Sequence, residues 1–335
     1  MAADPTRVLV TNLSAFSPTQ TIELVGRAGV IKGNTRPDKV FLSGVSAGCL
    51  LSFACAAVLS CNASPWYAEN APGLLRLIAA LIFPFGFVMI TLTGADLFTG
   101  TTLYTTVAVL QRRLSLWKMA THWFLCFWGN LAGSLFLAVV IFGYGGVFSA
   151  SPFKEAAITF AVKKQVTPAW HEIFLRAVGC NWLVCLACLL SLQARGVGSK
   201  IAAMWWPVFA FVALGLDHVV ANMFFVPLAI FLGAPGLSTG LYIWKGVIPV
   251  LLGNIVGGGL MVGVYYWYMY LCGEPEVMID GVGGPSGPVL AKRQGDSVND
   301  GSGLSDAEEG NVIHRQASAS SGLKTPASVV ANKSQ

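Results

Sequence analysis

His218 is the residue whose type best suits chemistry in an apolar setting. It stands in Leu214-Gly215-Leu216-Asp217-His218-Val219-Val220-Ala221-Asn222, inside a long apolar stretch. The other histidines lie elsewhere: His122 near the start of an apolar run, His171 between runs, His314 in a polar tail. An ionisable group at such depth marks a functional site by default. Imidazole can pass a proton or polarise a bound group near neutral pH. The plainer reading is a neutral ring satisfied by a backbone carbonyl.

A second polar cluster interrupts an earlier apolar stretch: Thr93-Gly94-Ala95-Asp96-Leu97-Phe98-Thr99-Gly100-Thr101-Thr102. Glycine permits backbone angles closed to other residues, and Thr and Asp side chains bond freed backbone groups. Gly94, Asp96 and Gly100, with Gly215 and Asp217 later, therefore predict two helix breaks. Irregular backbone at membrane depth is tolerated only where it is buried in protein or lines a cavity. Each break starts a half-helix whose orphan N–H groups and positive dipole end suit an anion. Asp96 and Asp217 sit just ahead of these half-helices, where an N-cap or a structural ion pair is expected. Asn181 and Asn222 are amides in apolar helices, expected to bond the histidine or a loop carbonyl rather than a solute. Phe83 and Phe87 share one helix face ahead of the first break, and Phe211 precedes the second by a similar stretch. Such rings can form an apolar gate against hydrated ions; from spacing alone, core packing fits equally well.

These clusters need elements that hold them at depth, and the composition supplies them. Hydrophobic residues make up 55% of the 335 and charged residues only 11%, where a soluble domain carries about 25% charged. The runs Val40–Cys61, Leu77–Ala95, Met119–Phe153, Ala177–Ala194, Ile201–Leu216 and Gly246–Gly273 contain no Asp, Glu, Lys or Arg. About 20 helical residues cross the hydrocarbon layer. Six spans are therefore expected at 40–61, 74–111 (broken), 116–148, 172–194, 201–232 (broken) and 242–272. Residues 1–39 read as a polar, basic arm without the features of a signal peptide. The division expected is an arm over 1–39, a transmembrane region over 40–273 and a disordered tail over 274–335, poor in aromatics and rich in Gly, Ser and charge. Arg112, Arg113, Lys118, Arg195, Lys200 and the basic arm place both termini in the cytoplasm. Lys154, Lys163 and Lys164 in the loop 149–171 run against that assignment. The net charge is +5; the basic excess lies in residues 1–274, the remainder being net acidic, and it favours anionic solutes or lipid head groups. The eight cysteines fall mostly within apolar runs, where packing rather than metal or redox chemistry is expected, Cys185-Leu186-Ala187-Cys188 included.

The chain also repeats itself. Gly94-Ala-Asp96 matches Gly215-Leu-Asp217, Gly129-Asn130-Leu-Ala-Gly133 matches Gly253-Asn254-Ile-Val-Gly257, and Gly48-Cys49 matches Gly179-Cys180, in the same order. Two halves of three spans follow. Three is odd, so the second half is inverted, with a path between the halves near the bilayer midplane.

Three segments together resemble the formate/nitrite transporter family: Thr93-Gly-Ala-Asp-Leu-Phe-Thr-Gly100, Gly179-Cys-Asn-Trp-Leu-Val-Cys-Leu-Ala187 and Gly215-Leu-Asp-His-Val-Val-Ala-Asn-Met223. The resemblance covers roughly residues 25–275. It implies an all-α, aquaporin-like fold of six spans, a homopentamer with one pore per protomer, and His218 at the centre with Thr99 and Asn181 nearby. It implies an outer constriction at Phe83, Phe87 and Phe211, an inner one at or near Leu97, Val184 and Val219, and vestibule lysines Lys32 and Lys164. The chain is particularly similar to a protozoan-parasite branch that exports lactate with a proton. It departs from the family in its long polar tail and in Asp217, where many relatives carry Glu.

The function expected is proton-linked transport of small monocarboxylates (L-lactate, pyruvate, formate, acetate) across the plasma membrane. The alternative is a formate/nitrite-type anion channel with weaker proton coupling. Solute, protons and lipid are the expected partners; no metal, cofactor or nucleic acid is expected. An aquaporin-like channel for neutral solutes would need paired Asn-Pro-Ala boxes, which do not occur. No nucleophile–base pair at plausible spacing supports an enzyme, and no folded soluble domain supports a receptor.

Overall fold

Helix signals in the sequence start most elements where the apolar runs begin. A computed structural model describes residues 15–275 and 277–279. Most of the expected tail lies outside the described residues, as do residues 1–14. Pro at the first helical position opens the N-terminal helix Pro18–Gly33 and the first span Pro37–Asn62, where its missing N–H costs nothing. The second span runs Pro72–Thr93, bends at Phe83–Pro84, and resumes as the half-helix Phe98–Leu110. The third is Leu116–Tyr144, the fourth Trp170–Gln193, and the sixth Thr239–Tyr270. The fifth divides into Val197–Ala213 and Val219–Phe231. Among the described residues there are no strands, only an isolated bridge between Ala15 and Ala194. The protein is an all-α membrane protein, and large apolar side chains such as Leu42, Phe124, Trp128, Trp206 and Leu260 are exposed on its outer surface, as lipid contact requires.

Two segments read as arm and loop are helical. The arm contains Pro18–Gly33, held by a Ser17–Gln20 capping box, and it buries Ile22 and Val25. The loop 149–171 contains Phe153–Gln165. Charged residues interrupt both, so neither holds a long charge-free run and a search for spans passes over them.

The repeat is visible in how backbones approach. Gly129 lies so close to the first span that a Cβ there would meet Phe41 O at 2.5 Å; a Cβ on Gly253 would meet Phe174 O of the fourth span at the same 2.5 Å. Gly133 and Gly257 press in the same way on Val45 O and Val178 O. Small residues at such crossings let membrane helices pack closely. The third span thus packs on the first as the sixth packs on the fourth, which is the 3+3 repeat expected.

Candidate conduction site

Both breaks are built by one recipe. Gly94 and Gly215 take left-handed backbone angles, with φ of 76° and 71°, which glycine adopts without a Cβ penalty. Ala95 N–H then donates to Ile90 O and Leu216 N–H to Phe211 O, each at 3.0 Å. The chain runs extended and a half-helix starts. Its N-cap is Leu97 in the first break and His218 in the second, so the capping role considered for Asp96 and Asp217 falls one residue later.

The leading N–H groups are not all orphans, contrary to the sequence expectation. Asn130 Oδ1 accepts from Phe98 N–H at 2.8 Å, while its Nδ2 donates to Gly44 O and Asp96 O. Asn254 Oδ1 accepts from Val219 N–H at 2.9 Å, and its Nδ2 donates to Ala177 O and Asp217 O. Neither amide was assigned a role from sequence, although both sit in the repeated Gly-Asn motif. The carboxylates serve as ion-pair partners instead. Asp96 pairs with Lys32, and Asp217, fully buried, pairs with Lys164 at 2.8 Å. Lys164 also donates to Leu216 O at 3.1 Å. Neither expected vestibule lysine is therefore a bare charge.

His218 is oriented from both sides of its ring. Ala221 N–H donates to Nδ1 at 3.1 Å, so Nδ1 offers its lone pair and a neutral ring carries its proton on Nε2. That nitrogen lies 2.9 Å from Thr99 Oγ1, which brings the two breaks together across the repeat. Phe211 stacks on the imidazole with ring centroids 6.0 Å apart and planes 19° from parallel. Phe83 meets Phe211 edge to face at 5.5 Å. Asn181 bonds Thr99 O at 3.2 Å and Thr102 Oγ1 at 3.0 Å, so it holds backbone rather than the histidine. Asn222 is fully buried, and neither side-chain atom has a hydrogen-bond partner among the described residues; the bond to the histidine or a loop carbonyl considered for it is absent.

A cavity of about 330 Å³ ends on this group. His218, Phe83, Phe211 and Lys164 line it together, joined by Arg76, Lys163 and Arg176; no Asp or Glu is among its lining residues. Arg76 and Arg176 escaped sequence reasoning because a lone arginine flanking an apolar run reads as an interfacial anchor. Phe87, Leu97, Val184 and Val219 are buried but are not among the residues lining this cavity.

Two half-helices meeting at a buried histidine, below a cationic cavity and inside an all-helical membrane fold, define a solute channel or transporter. The chain belongs to the formate/nitrite transporter family, whose model matches residues 19–268. A probable formate transporter of Methanothermobacter thermautotrophicus is 35% identical, over 76% of this chain and 97% of its own length. The formate channel FocA of Haemophilus influenzae is 31% identical, over 76% and 95%. Formate-nitrite transporter 3 of Toxoplasma gondii is 34% identical, over 72% of this chain and 49% of its own. Among solved structures, a channel of the same family superimposes with a TM-score of 0.68 at 26% identity, over 75% of this chain and 99% of that one. A pentameric formate channel with formate bound gives 0.62 at 28%, over 70% and 98%. These relatives are transporters and channels, not enzymes.

Proposed function

We propose that the protein carries small monocarboxylates, lactate and formate among them, together with protons. The observation that carries this reading is one cavity combining a cationic wall, the Phe83–Phe211 apolar pair and His218. Arg76, Lys163 and Arg176 draw the anion in, with Lys164 and, on the other side, Lys32 nearer the breaks. A bare anion cannot pass the rings, because losing its water costs several kcal/mol. As the surroundings become less polar, the solute's own carboxylate binds a proton more readily. The proton comes from water or through the Nε2–H of His218, and the neutral acid passes. Phe83, Phe87 and Phe211 act as the outer constriction in this reading, and Leu97, Val184 and Val219 as the inner.

The same reading makes the protein a homopentamer with one pore per protomer, in keeping with the pentameric relative. It sits in the plasma membrane with both termini cytoplasmic, and residues 274–335 form a tail outside the 40–273 transport region. The second reading, an anion channel with weak proton coupling, draws support from the relatives named as formate channels.

Flux of radiolabelled lactate, formate and nitrite into proteoliposomes, at several external pH values, separates the two. Lactate uptake that rises with external acid and is lost in His218→Ala is the expected result. Uptake and proton coupling unchanged in His218→Ala would end the histidine's role. Lactate exclusion with formate currents would favour the channel.

A further inference from the structure

We propose that His122 is a second proton-binding site of the membrane region, set against the Lys32–Asp96 ion pair and without a counterpart in the other half of the repeat. The inference concerns proton binding by the protein itself and does not depend on which solute is carried.

His122 is buried, 3% exposed, and neither ring nitrogen has a hydrogen-bond partner among the described residues. Buried polar atoms without partners are uncommon and costly. Asp96 Oδ2 lies 3.8 Å from Nε2, while Asp96 Oδ1 holds Lys32. Asp96 cannot readily swing away. Its N–H donates to Ser43 Oγ, and its carbonyl accepts from Asn130 Nδ2 and Cys126 Sγ. The carboxylate therefore offers one oxygen to each cation. A proton taken from water by His122 needs only a small approach of the ring to make a charge-assisted bond to Oδ2. The group then changes from neutral to singly positive. Lys32 keeps part of its side chain exposed, which connects the cluster to solvent.

Among the described residues, few other groups bear on this site. The N-terminal helix brings Lys32, its Glu23 and Arg27 being bonded to each other. The half-helix after the first break brings Tyr104, with Lys32 Nζ 5.6 Å from its ring centroid. The third span itself adds Cys126 and Lys118, the latter bonded to Asn34. The first span carries Asp38 and Lys39 only at its exposed start, and Val219–Phe231 carries no ionisable side chain.

The other half differs in kind. The alignment that pairs Asn130 with Asn254 pairs His122 with Gly246. A Cβ on Gly246 would lie 2.5 Å from Gln165 Oε1, so the amide that follows Lys164 takes up that space. An imidazole can gain charge there; an amide cannot. The two faces of a pseudo-symmetric transporter would then respond differently to pH.

Histidine-labelled NMR of the detergent-solubilised protein tests this directly, since the chain has only four histidines. Among the titrating imidazole signals, one should disappear in His122→Gln and persist in His218→Ala, His171→Ala and His314→Ala. In sided flux measurements, acid on the Lys32 face should lower the half-saturating anion concentration about threefold to tenfold, as one added charge near the path would. His122→Gln should remove that change and leave the opposite face unaltered. A His122 ring that keeps one protonation state throughout, or an unchanged profile in a folded His122→Gln protein, overturns the proposal. If His122→Gln does not fold, assignment from the three alanine variants still decides it. Loss of proton-linked flux with an intact His122 titration would count against the transport reading alone.

Discussion

Asn130 and Asn254 make the same three hydrogen bonds from opposite halves of the chain. Each caps the first N–H of a half-helix and donates to two carbonyls, one on the span it crosses and one on the Asp of the break. A single carboxamide supplies two donors and an acceptor, which a Ser or Thr hydroxyl, with one donor, cannot match. The breaks are thereby fixed to the third and sixth spans rather than left as flexible kinks.

Asn130→Ala and Asn254→Ala should lower thermal stability in detergent by similar amounts. Each orphans buried groups that cost roughly 1–3 kcal/mol apiece. Asp at either position keeps the acceptor but loses both donors, so it should do no better than Ala. A melting point unchanged in one variant and collapsed in the other would show that the halves are not equivalent.

Thr99→Val preserves volume and removes the oxygen facing His218 Nε2. Losing one buried bond of about 1–2 kcal/mol corresponds to a drop in solute flux of roughly tenfold. Thr99→Ser should stay near wild type. Equal flux for Val and Ser would mean that the contact across the two breaks does not matter for conduction.

Arg76→Gln and Arg176→Gln should raise the half-saturating anion concentration several-fold at low ionic strength, with little change in maximal rate. The difference should shrink above about 0.1 M salt, where charges are screened over about 10 Å. A lower maximal rate at unchanged half-saturation would assign these arginines to positioning instead.

Glu23 joins the N-terminal helix to the segment after Phe98–Leu110 through Arg113 at 2.8 Å and Gln111 at 2.9 Å, and it also bonds Arg27 of its own helix at 2.8 Å. Burial by itself would raise its pKa, but the bonds from Arg113, Arg27 and Gln111 outweigh it and hold the carboxyl below its ordinary value of 4.5. The folded pKa is the lower one, so this contribution is complete above that ordinary value and is lost as pH falls through the folded one. Glu23→Gln should lower stability at pH 7 by on the order of 1–2 kcal/mol, read as a lower melting point. The gap between variant and wild type should close on acidification, and a pH-independent gap would exclude the ion-pair account.

Much of this architecture was readable beforehand. Runs such as Val40–Cys61 and Met119–Phe153 and the Gly-Ala-Asp and Gly-Leu-Asp breaks are local patterns, and the corresponding spans and breaks lie within a few residues of expectation. Helices Pro18–Gly33 and Phe153–Gln165 were not foreseen, because charged residues cut their apolar stretches well below the length of a span. Arg76 and Arg176 had no distinguishing context in the sequence, whereas Asn130 and Asn254 did, in the repeated Gly-Asn motif.

The amino-acid order by itself determined the spans, the breaks, the repeat and the presence of one histidine deep in an apolar stretch. Hydrophobic periodicity and glycine placement act over neighbouring residues and need no partner. Only the tertiary structure decided that Thr99 meets His218, that Lys32 and Lys164 are neutralised by Asp96 and Asp217, and that Asn181 grips Thr99 O instead of the imidazole. Those contacts join residues far apart in the chain, and helix packing sets their distances.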